Sequence, residues 1–268
     1  MQAQYFKEAI SAEIFQYISK ATEELKLESY VIGGFVRDFI LKRGTAKDID
    51  IVAIGSGIEL AQKVASLLPN NPKVQVFKTY GTAMLRYKEV EIEFVGARKE
   101  SYTEDSRNPQ VESGTLQDDQ NRRDFTINAL ALSLNKENFG LLLDPFNGMA
   151  DLEAKIIRTP LNPDITYSDD PLRMMRAIRF ATQLNFTIDE ASITSITKNK
   201  NRIEIVSQER IIVELNKIIM STTPSIGFKI LFDTGLLALI FPVWFAVMNK
   251  KVEGIENSID GDFSMDKF

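Results

Sequence analysis

The spacing of apolar residues changes repeatedly along the first half of the chain. Between residues 6 and 25 they recur every three or four positions, which predicts an amphipathic first helix. A short apolar run at residues 30–34 ends in a glycine pair and indicates a strand, after which residues 35–41 return to helical spacing. Residues 47–54 alternate charged and apolar side chains, as a half-buried strand does. This part of the chain therefore mixes helices and strands.

One more helix and three more strands are predicted before residue 100. Residues 59–68 have helical spacing and end where prolines break the pattern. The strands are predicted at residues 74–77, 83–87 and 90–95. The last two are joined by a tight turn near Lys88 and Glu89.

From Arg123 onward the pattern is helical, apart from a short strand-like segment at residues 141–144. Helices are predicted at residues 125–134, 151–154, 171–184, 189–197, 207–220 and 224–234. Ser168 or Asp169, ahead of Pro171, and Ser207 are typical of residues that cap the start of a helix. The last residues, 250–268, are polar and without periodicity, which predicts a frayed tail.

Composition narrows the chemistry that this chain can perform. Its 268 residues include 32 basic and 37 acidic ones, so any contact with nucleic acid requires a local basic patch. Cysteine and histidine are both absent, which excludes disulfides, thiolate zinc sites, catalytic thiols and Ser-His relays. Metal sites must use oxygen ligands, which favours Mg²⁺ or Mn²⁺. No apolar run approaches the roughly 20 residues of a membrane span, and we expect a cytoplasmic protein.

The triplet Asp48-Ile49-Asp50 is the strongest candidate for a metal site. Alternate residues of a strand share a face, so Asp48 and Asp50 project side by side. Two such carboxylates repel unless a cation lies between them, and Mg²⁺ combines this kind of ligand with substrate phosphates. Taken alone, the triplet is more typical of a solvated strand edge. Glu93 would complete a three-carboxylate cluster if its strand pairs with this one, whereas for Glu91 an exposed polar face is the preferred interpretation.

Two glycines lie at the junction between a predicted strand and a predicted helix. Gly33 and Gly34 would let the backbone approach a phosphate closely, with the start of the helix adding a favourable partial charge. A tight structural turn is the alternative. A dinucleotide-binding turn is disfavoured because it requires Gly-x-Gly-x-x-Gly and an acidic residue near the end of the next strand, whereas only the adjacent pair Gly33-Gly34 is present.

Arginines form two further candidate groups. Arg173, Arg176 and Arg179 recur every three residues and form a basic stripe on the helix predicted at 171–184, with Asp170 within one turn of Arg173. A solvated face paired to acids is the usual role of such a stripe, but arginine instead of lysine favours bidentate contacts to phosphate or a base edge. A second group, Arg122, Arg123, Asp124 and Asn128, lies at the start of the helix predicted at 125–134.

Five segments in this order resemble the motifs of the class II tRNA nucleotidyltransferase and bacterial poly(A) polymerase family. They are residues 33–38 with 48–50, residues 122–129, residues 144–146 with 148 and 151–152, residues 169–173 through 179–180, and residues 208–211 with 214–215. Five ordered motifs are a much more specific signal than any one of them. The resemblance implies an α+β fold with a DNA polymerase beta-like nucleotidyltransferase head, followed by an all-helical neck. We predict a head at residues 1–145, a neck at 146–245 and a disordered tail at 246–268.

The same resemblance implies roles for the candidate residues. Asp48 and Asp50 would bind two Mg²⁺ ions, for which Mn²⁺ is a possible substitute, with Glu93 as a third catalytic carboxylate beside them. The nucleotide would be bound by Gly33, Gly34 and Arg37 at its triphosphate and sugar, by Arg122, Asp124 and Asn128 at its sugar and phosphates, and by Asp170 and Arg173 at its Watson-Crick edge. A carboxylate that accepts from an exocyclic amine favours cytosine and adenine. Arg176 and Arg179 would contact phosphate or brace that pair.

The predicted activity is the addition of C and A, from CTP and ATP, to tRNA 3′ ends. An A-adding enzyme or a poly(A) polymerase of the same family is the alternative, because these enzymes share the motifs. The expected partners are ATP, CTP and the tRNA 3′ end, without DNA or membrane. Members of the family usually continue into a helical body and tail, and the residues after Pro242 do not resemble that continuation. A truncated nucleotide-binding fragment with little activity is therefore a further alternative.

Overall fold

A computed structural model describes residues 4–44, 48–103 and 106–241 of the chain. The elements up to residue 143 are α1 (Glu13–Leu25), β1 (Glu28–Ile32), α2 (Gly34–Ile40), β2 (Asp48–Ile54), α3 (Gly57–Leu67), β3 (Val74–Phe77), β4 (Thr82–Tyr87), β5 (Val90–Gly96), β6 (Arg98–Thr103), β7 (Ser106–Ser113), α4 (Leu116–Asn121), β8 (Ala131–Ser133) and β9 (Leu142–Leu143). The later elements are α5 (Gly148–Ala154), β10 (Ile156–Ile157), α6 (Pro163–Asp169), α7 (Leu172–Leu184), β11 (Thr187–Ile188), α8 (Glu190–Asn199), α9 (Gln208–Ile219), α10 (Pro224–Asp233) and α11 (Leu236–Ile240).

A seven-stranded mixed sheet organises the first part of the chain, in the order β3-β4-β5-β2-β1-β8-β9. Only β2 and β5 are parallel neighbours, and the other adjacent strands are antiparallel. Ile49 and Ile51 of β2 belong to the main hydrophobic core, which also includes Leu60 and Val64 of α3. The opposite face of β2 therefore carries Asp48 and Asp50, since side chains alternate along a strand.

The later part of the chain is built around α7, which packs on α6, α9 and α10. Met174, Met175 and Ile178 of α7 are fully buried, as the predicted periodicity requires. The seven-stranded sheet and the later helices contribute to one hydrophobic cluster. Within the described ranges, no helix has both the length and the apolar character needed to cross a bilayer.

Several sequence predictions are confirmed to within two residues. The predicted strands at 74–77, 83–87 and 90–95 correspond to β3, β4 and β5, with a two-residue turn at Lys88 and Glu89. The first helix, however, begins at Glu13 and not near residue 6. Residues 4–6 lie instead at the sheet edge, where Tyr5 forms a bridge with Leu141. The predicted tail at 246–268 lies outside the described residues.

The helix predicted at residues 125–134 is wrong. Thr126–Asn128 forms only a short 3-10 turn, and Ala131–Ser133 forms β8 between β1 and β9. Both faces of β8 are buried, and a continuous apolar run of this kind fits a buried strand as well as a helix. The prediction that the chain is helical from Arg123 onward is therefore also wrong, because helices dominate only from α5.

The capping prediction at Ser168 or Asp169 is wrong as well. Both residues lie inside α6, which the sequence did not indicate. Asp170 instead accepts a hydrogen bond from the Leu172 N–H at 3.2 Å, at the start of α7. Ser207 does precede α9 as predicted, although its side chain makes no capping hydrogen bond.

Candidate active site

The first group of candidate residues lies where β2 and β5 run side by side. Asp50 is directly opposite Glu93 in the parallel register, and Asp48 is opposite Glu91. Burial raises the pKa of Asp50, and the nearby charges of Asp48 and Asp119 raise it further while Arg123 opposes them. Burial and the charge of Asp50 raise the pKa of Glu93. The pair β2 and β5 therefore concentrates negative charge at one place on the sheet.

These carboxylates do not form a complete metal cage. In the part of the chain that the structure describes, no three acidic, histidine or cysteine side chains are arranged to hold a metal ion together. The pairing of β2 with β5 places Glu93 beside Asp50, as the predicted cluster of Asp48, Asp50 and Glu93 requires, but the described side chains do not form a ready-made three-ligand site. The cluster therefore stays a prediction. Mg²⁺ requires less, since it commonly uses one or two protein carboxylates with water and substrate phosphates.

At Gly33 the main chain passes close to the Asp50 carboxylate and the Arg123 guanidinium. Its φ of +85° lies in a region that favours glycine, and an added Cβ would lie 2.9 Å from the Arg123 guanidinium and 3.5 Å from the Asp50 carboxylate. A Cβ on Gly34 would lie 3.6 Å from the guanidinium of Arg37. The glycine pair therefore forms both a tight turn and a close approach to charged groups.

Asp119 is a site residue that the sequence did not indicate. Its side chain is fully buried in α4 and accepts hydrogen bonds from Arg122 Nε at 2.9 Å and from Arg123 Nη2 at 3.1 Å. One carboxylate thus fixes two adjacent arginines. Asp119 lies three residues before Arg122 and four before Arg123, a spacing that brings side chains together on a helix. The sequence could therefore have indicated this ion pair only if α4 had been predicted.

A hydrogen-bonded chain connects α2 with α7 through Asp124. Arg37 Nη1 donates to Asn128 Oδ1 at 2.6 Å, and Asn128 Nδ2 donates to Asp124 Oδ1 at 2.9 Å. Arg176 Nε donates to Asp124 Oδ2 at 2.7 Å. Burial acts to raise the pKa of Asp124, but Arg176 and Asn128 outweigh it and lower that pKa to about 2. Asp124 is therefore ionised at neutral pH and holds Arg176 in place.

The arginine stripe of α7 is not a solvated face. Arg173 Nη2 donates to the Arg122 carbonyl at 2.6 Å, and Arg179 Nε donates to the buried carboxylate of Glu214 at 2.5 Å. With Arg176 bound to Asp124, each arginine of the stripe has a different partner on another element. The stripe therefore joins α7 to the head on one side and to α9 on the other.

A cavity of about 460 Å³ opens between these groups. Its charged lining consists of Arg122, Arg123, Arg173, Arg176 and Arg210 together with Asp124, Asp170 and Glu214. Five guanidinium groups against three carboxylates make this cavity basic in a protein of net charge −5. In a chain with more acidic than basic residues, contact with nucleic acid requires a local basic patch, and this cavity is such a patch. Arg37 and Arg179 line a separate cavity of about 370 Å³.

Comparison with known proteins identifies the family. Residues 29–158 match the family described as the poly A polymerase head domain, and residues 185–248 match the one described as the probable RNA and SrmB-binding site of polymerase A. The chain belongs to the class II tRNA nucleotidyltransferase and bacterial poly(A) polymerase family. The DNA polymerase beta-like head and the helical region after it are thereby confirmed.

Individual members of this nucleotidyltransferase family are similar to the chain over most of its length. An A-adding tRNA nucleotidyltransferase of Aquifex aeolicus is 42% identical over 166 residues, which cover 62% of this chain and 20% of the relative. A CCA-adding enzyme of Limosilactobacillus reuteri is 38% identical over 216 residues, or 80% of this chain and 51% of the relative. The structure of the Thermotoga maritima CCA-adding enzyme in complex with tRNA is similar to this chain, with a TM-score of 0.78 and 30% sequence identity. The match covers 91% of this chain and 57% of the Thermotoga maritima chain. The chain thus spans about half or less of the length of these relatives.

Proposed function

We propose that this nucleotidyltransferase chain adds C and A, from CTP and ATP, to the 3′ ends of tRNA. The observation that carries the proposal is the position of Arg123. Its guanidinium lies beside Gly33 and the Asp50 carboxylate, and it also lines the basic cavity. Asp170 and Arg173 line the same cavity. A nucleoside triphosphate in this position would have its phosphates near the carboxylates and its base near α7.

The residues present fit a divalent metal with oxygen ligands. Asp48 and Asp50 would hold Mg²⁺ or Mn²⁺, as two ions, and the metal would supply activation of the RNA 3′-hydroxyl and compensation of phosphate charge. The raised pKa of Asp50 supports this assignment, because it shows a carboxylate whose charge is poorly compensated by the protein. Glu93 would support Asp50 from the neighbouring strand.

Selection of the base is assigned to Asp170 and Arg173. The Asp170 carboxylate receives the Leu172 N–H on one oxygen, and its other oxygen would accept the exocyclic amine of cytosine or adenine. Uracil and guanine present a carbonyl at that position, so the carboxylate disfavours them. Arg173 is anchored on the Arg122 carbonyl and would supply the matching donor.

Addition of A alone is the second candidate. It is favoured by the Aquifex aeolicus relative, an A-adding enzyme with 42% identity to this chain. Poly(A) synthesis belongs to the same class of alternative. CCA addition is preferred because the Thermotoga maritima CCA-adding enzyme has a similar structure over 91% of this chain.

The deciding experiment supplies tRNA that lacks its 3′ CCA, and tRNA that ends in CC, with Mg²⁺ and each triphosphate singly and together. Two C followed by one A confirms CCA addition. A single A on tRNA ending in CC, or a long A tail, supports the second candidate. Binding of ATP and CTP without addition to either RNA would identify a nucleotide-binding fragment.

Matched variants test the metal assignment. Asp48→Ala combined with Asp50→Ala should abolish addition while circular dichroism shows an intact fold. Glu91→Ala removes a carboxylate from the same face of the neighbouring strand, where Glu91 lies opposite Arg86, and should leave addition unchanged. Activity retained by the double variant would refute the assignment.

A further inference from the structure

Phe180 lies at the centre of an unusual group of arginines. Its ring is buried on α7, with 6% of the residue exposed. The guanidinium carbons of Arg179, Arg37 and Arg176 lie 3.9, 4.9 and 5.5 Å from the ring centroid. Phe125 packs edge-on against the same ring, with 5.7 Å between centroids and an interplanar angle of 82°. One aromatic side chain of the neck thus contacts residues of both head and neck.

These contacts close a circuit. The hydrogen-bonded chain from Arg37 through Asn128 and Asp124 ends at Arg176, and both terminal arginines lie over the Phe180 ring. The five links of this circuit join side chains of the first motif, the second motif and α7. The third arginine over the ring, Arg179, is anchored to Glu214 of α9.

An aromatic ring at position 180 can hold several guanidinium groups close together. Guanidinium groups of like charge repel each other, and the negative face of a ring attracts each of them without using their N–H donors. Arg37 can consequently donate to Asp38 and Asn128 while it lies over Phe180. An aliphatic side chain of similar volume would fill the space but would not attract the guanidinium groups that lie over it.

We infer that Phe180 is a positioning residue that fixes the orientation of the nucleotide's phosphates relative to its base. This inference rests on the proposed function, in which α7 reads the base, and on the contact of Arg37 with triphosphate and sugar that the family resemblance implies. Phe180 would touch no substrate and would act through Arg37 and Arg176. Loss of the ring should therefore impair alignment for reaction more than it impairs nucleotide binding.

The test compares three variants. Phe180→Leu removes the aromatic face, and we expect kcat to fall by about tenfold or more with KM for ATP and CTP changed less than about threefold, since small misplacements of reacting groups are costly. Phe180→Tyr keeps the aromatic face and should restore kcat to within about threefold of the wild type, since the guanidinium groups keep the ring over which they lie. Phe186→Leu is the control, being a neck phenylalanine of similar burial, 7% exposed. It should change thermal stability without lowering kcat.

A second readout does not require turnover. The Nε–Hε groups of Arg37 and Arg176 are hydrogen-bonded to Asp38 and Asp124, so their NMR signals report the arrangement around the ring. Phe180→Leu should shift or broaden both signals, whereas Phe186→Leu should not. If the wild-type chain adds no nucleotide, the proposed function fails while this readout still tests the role of Phe180. Unchanged signals in Phe180→Leu, or an equal loss of kcat in both leucine variants, would overturn the inference.

Discussion

Replacement of Asp124 by asparagine should produce a loss of stability whose dependence on pH identifies its cause. The folded pKa of Asp124 is lowered from 3.8 to about 2. A pKa that is lower in the folded than in the unfolded state contributes stability above the unfolded value. That contribution is lost as the pH falls through the folded value. At about 1.4 kcal/mol per pKa unit, the ionised carboxylate contributes on the order of 2–3 kcal/mol at neutral pH.

Asp124→Asn keeps the shape of the side chain but leaves the Arg176 guanidinium without its anion. We expect the free energy of unfolding, measured by urea titration, to fall by about 2–3 kcal/mol at pH 7. The difference from the wild type should remain nearly constant down to about pH 4, halve by about pH 3 and nearly vanish at about pH 2, because the wild-type carboxylate then becomes protonated too.

Asp233→Asn provides the control. Asp233 is exposed and pairs with Lys229 one helical turn earlier at 3.0 Å, so its replacement should change the free energy of unfolding by less than about 0.5 kcal/mol. A difference between Asp124→Asn and the wild type that is the same at pH 7 and pH 3 would refute the ion-pair explanation and would indicate a packing defect instead.

Three other changes should be informative. Gly33→Ala should lower the rate of nucleotide addition at least tenfold, because the new Cβ would meet the Arg123 guanidinium. Gly44→Ala is the control: Gly44 has a similar φ of +91°, but no atom lies within 4 Å of its Cβ position, so this variant should lose only stability. Equal rates of addition in the two variants would contradict this prediction. Asp119→Asn should raise KM for both triphosphates several-fold by releasing the two arginines it binds, and an unchanged KM would count against that role. Chelation of divalent metal should stop addition, and added Mg²⁺ should lower the pKa of Asp50, measurable by carboxyl NMR.

The strands up to residue 96, including the one that carries Asp48 and Asp50, were predictable because their signals are local. The alternation in residues 48–54 places Asp48 and Asp50 on one face whatever the strand pairs with. That Glu93 lies beside Asp50 depends on the parallel pairing of β2 with β5, which sequence periodicity cannot specify. The helix predicted at 125–134 was wrong for the same reason, since β8 is defined by its neighbours and not by its own pattern.

The arrangement of charges around the site was less predictable. The arginines of α7 were recognised as a stripe, but their partners come from three separate parts of the chain, namely the Arg122 carbonyl, Asp124 and Glu214. Phe180 was expected only as part of a motif and as an apolar residue. Its contacts with arginines require the head and neck to be packed together, so no single segment contains the information.

The place of β8 in the sheet has a consequence for synthesis of the protein. β1 pairs with β2 on one side soon after both emerge, but its other side is covered only by Ala131–Ser133, about a hundred residues later in the chain. Until then, β1 is an open edge with unsatisfied backbone groups, which can pair with another nascent chain. Any shortened form that ends before residue 131 keeps that edge permanently. Such fragments should aggregate even though they contain both aspartates.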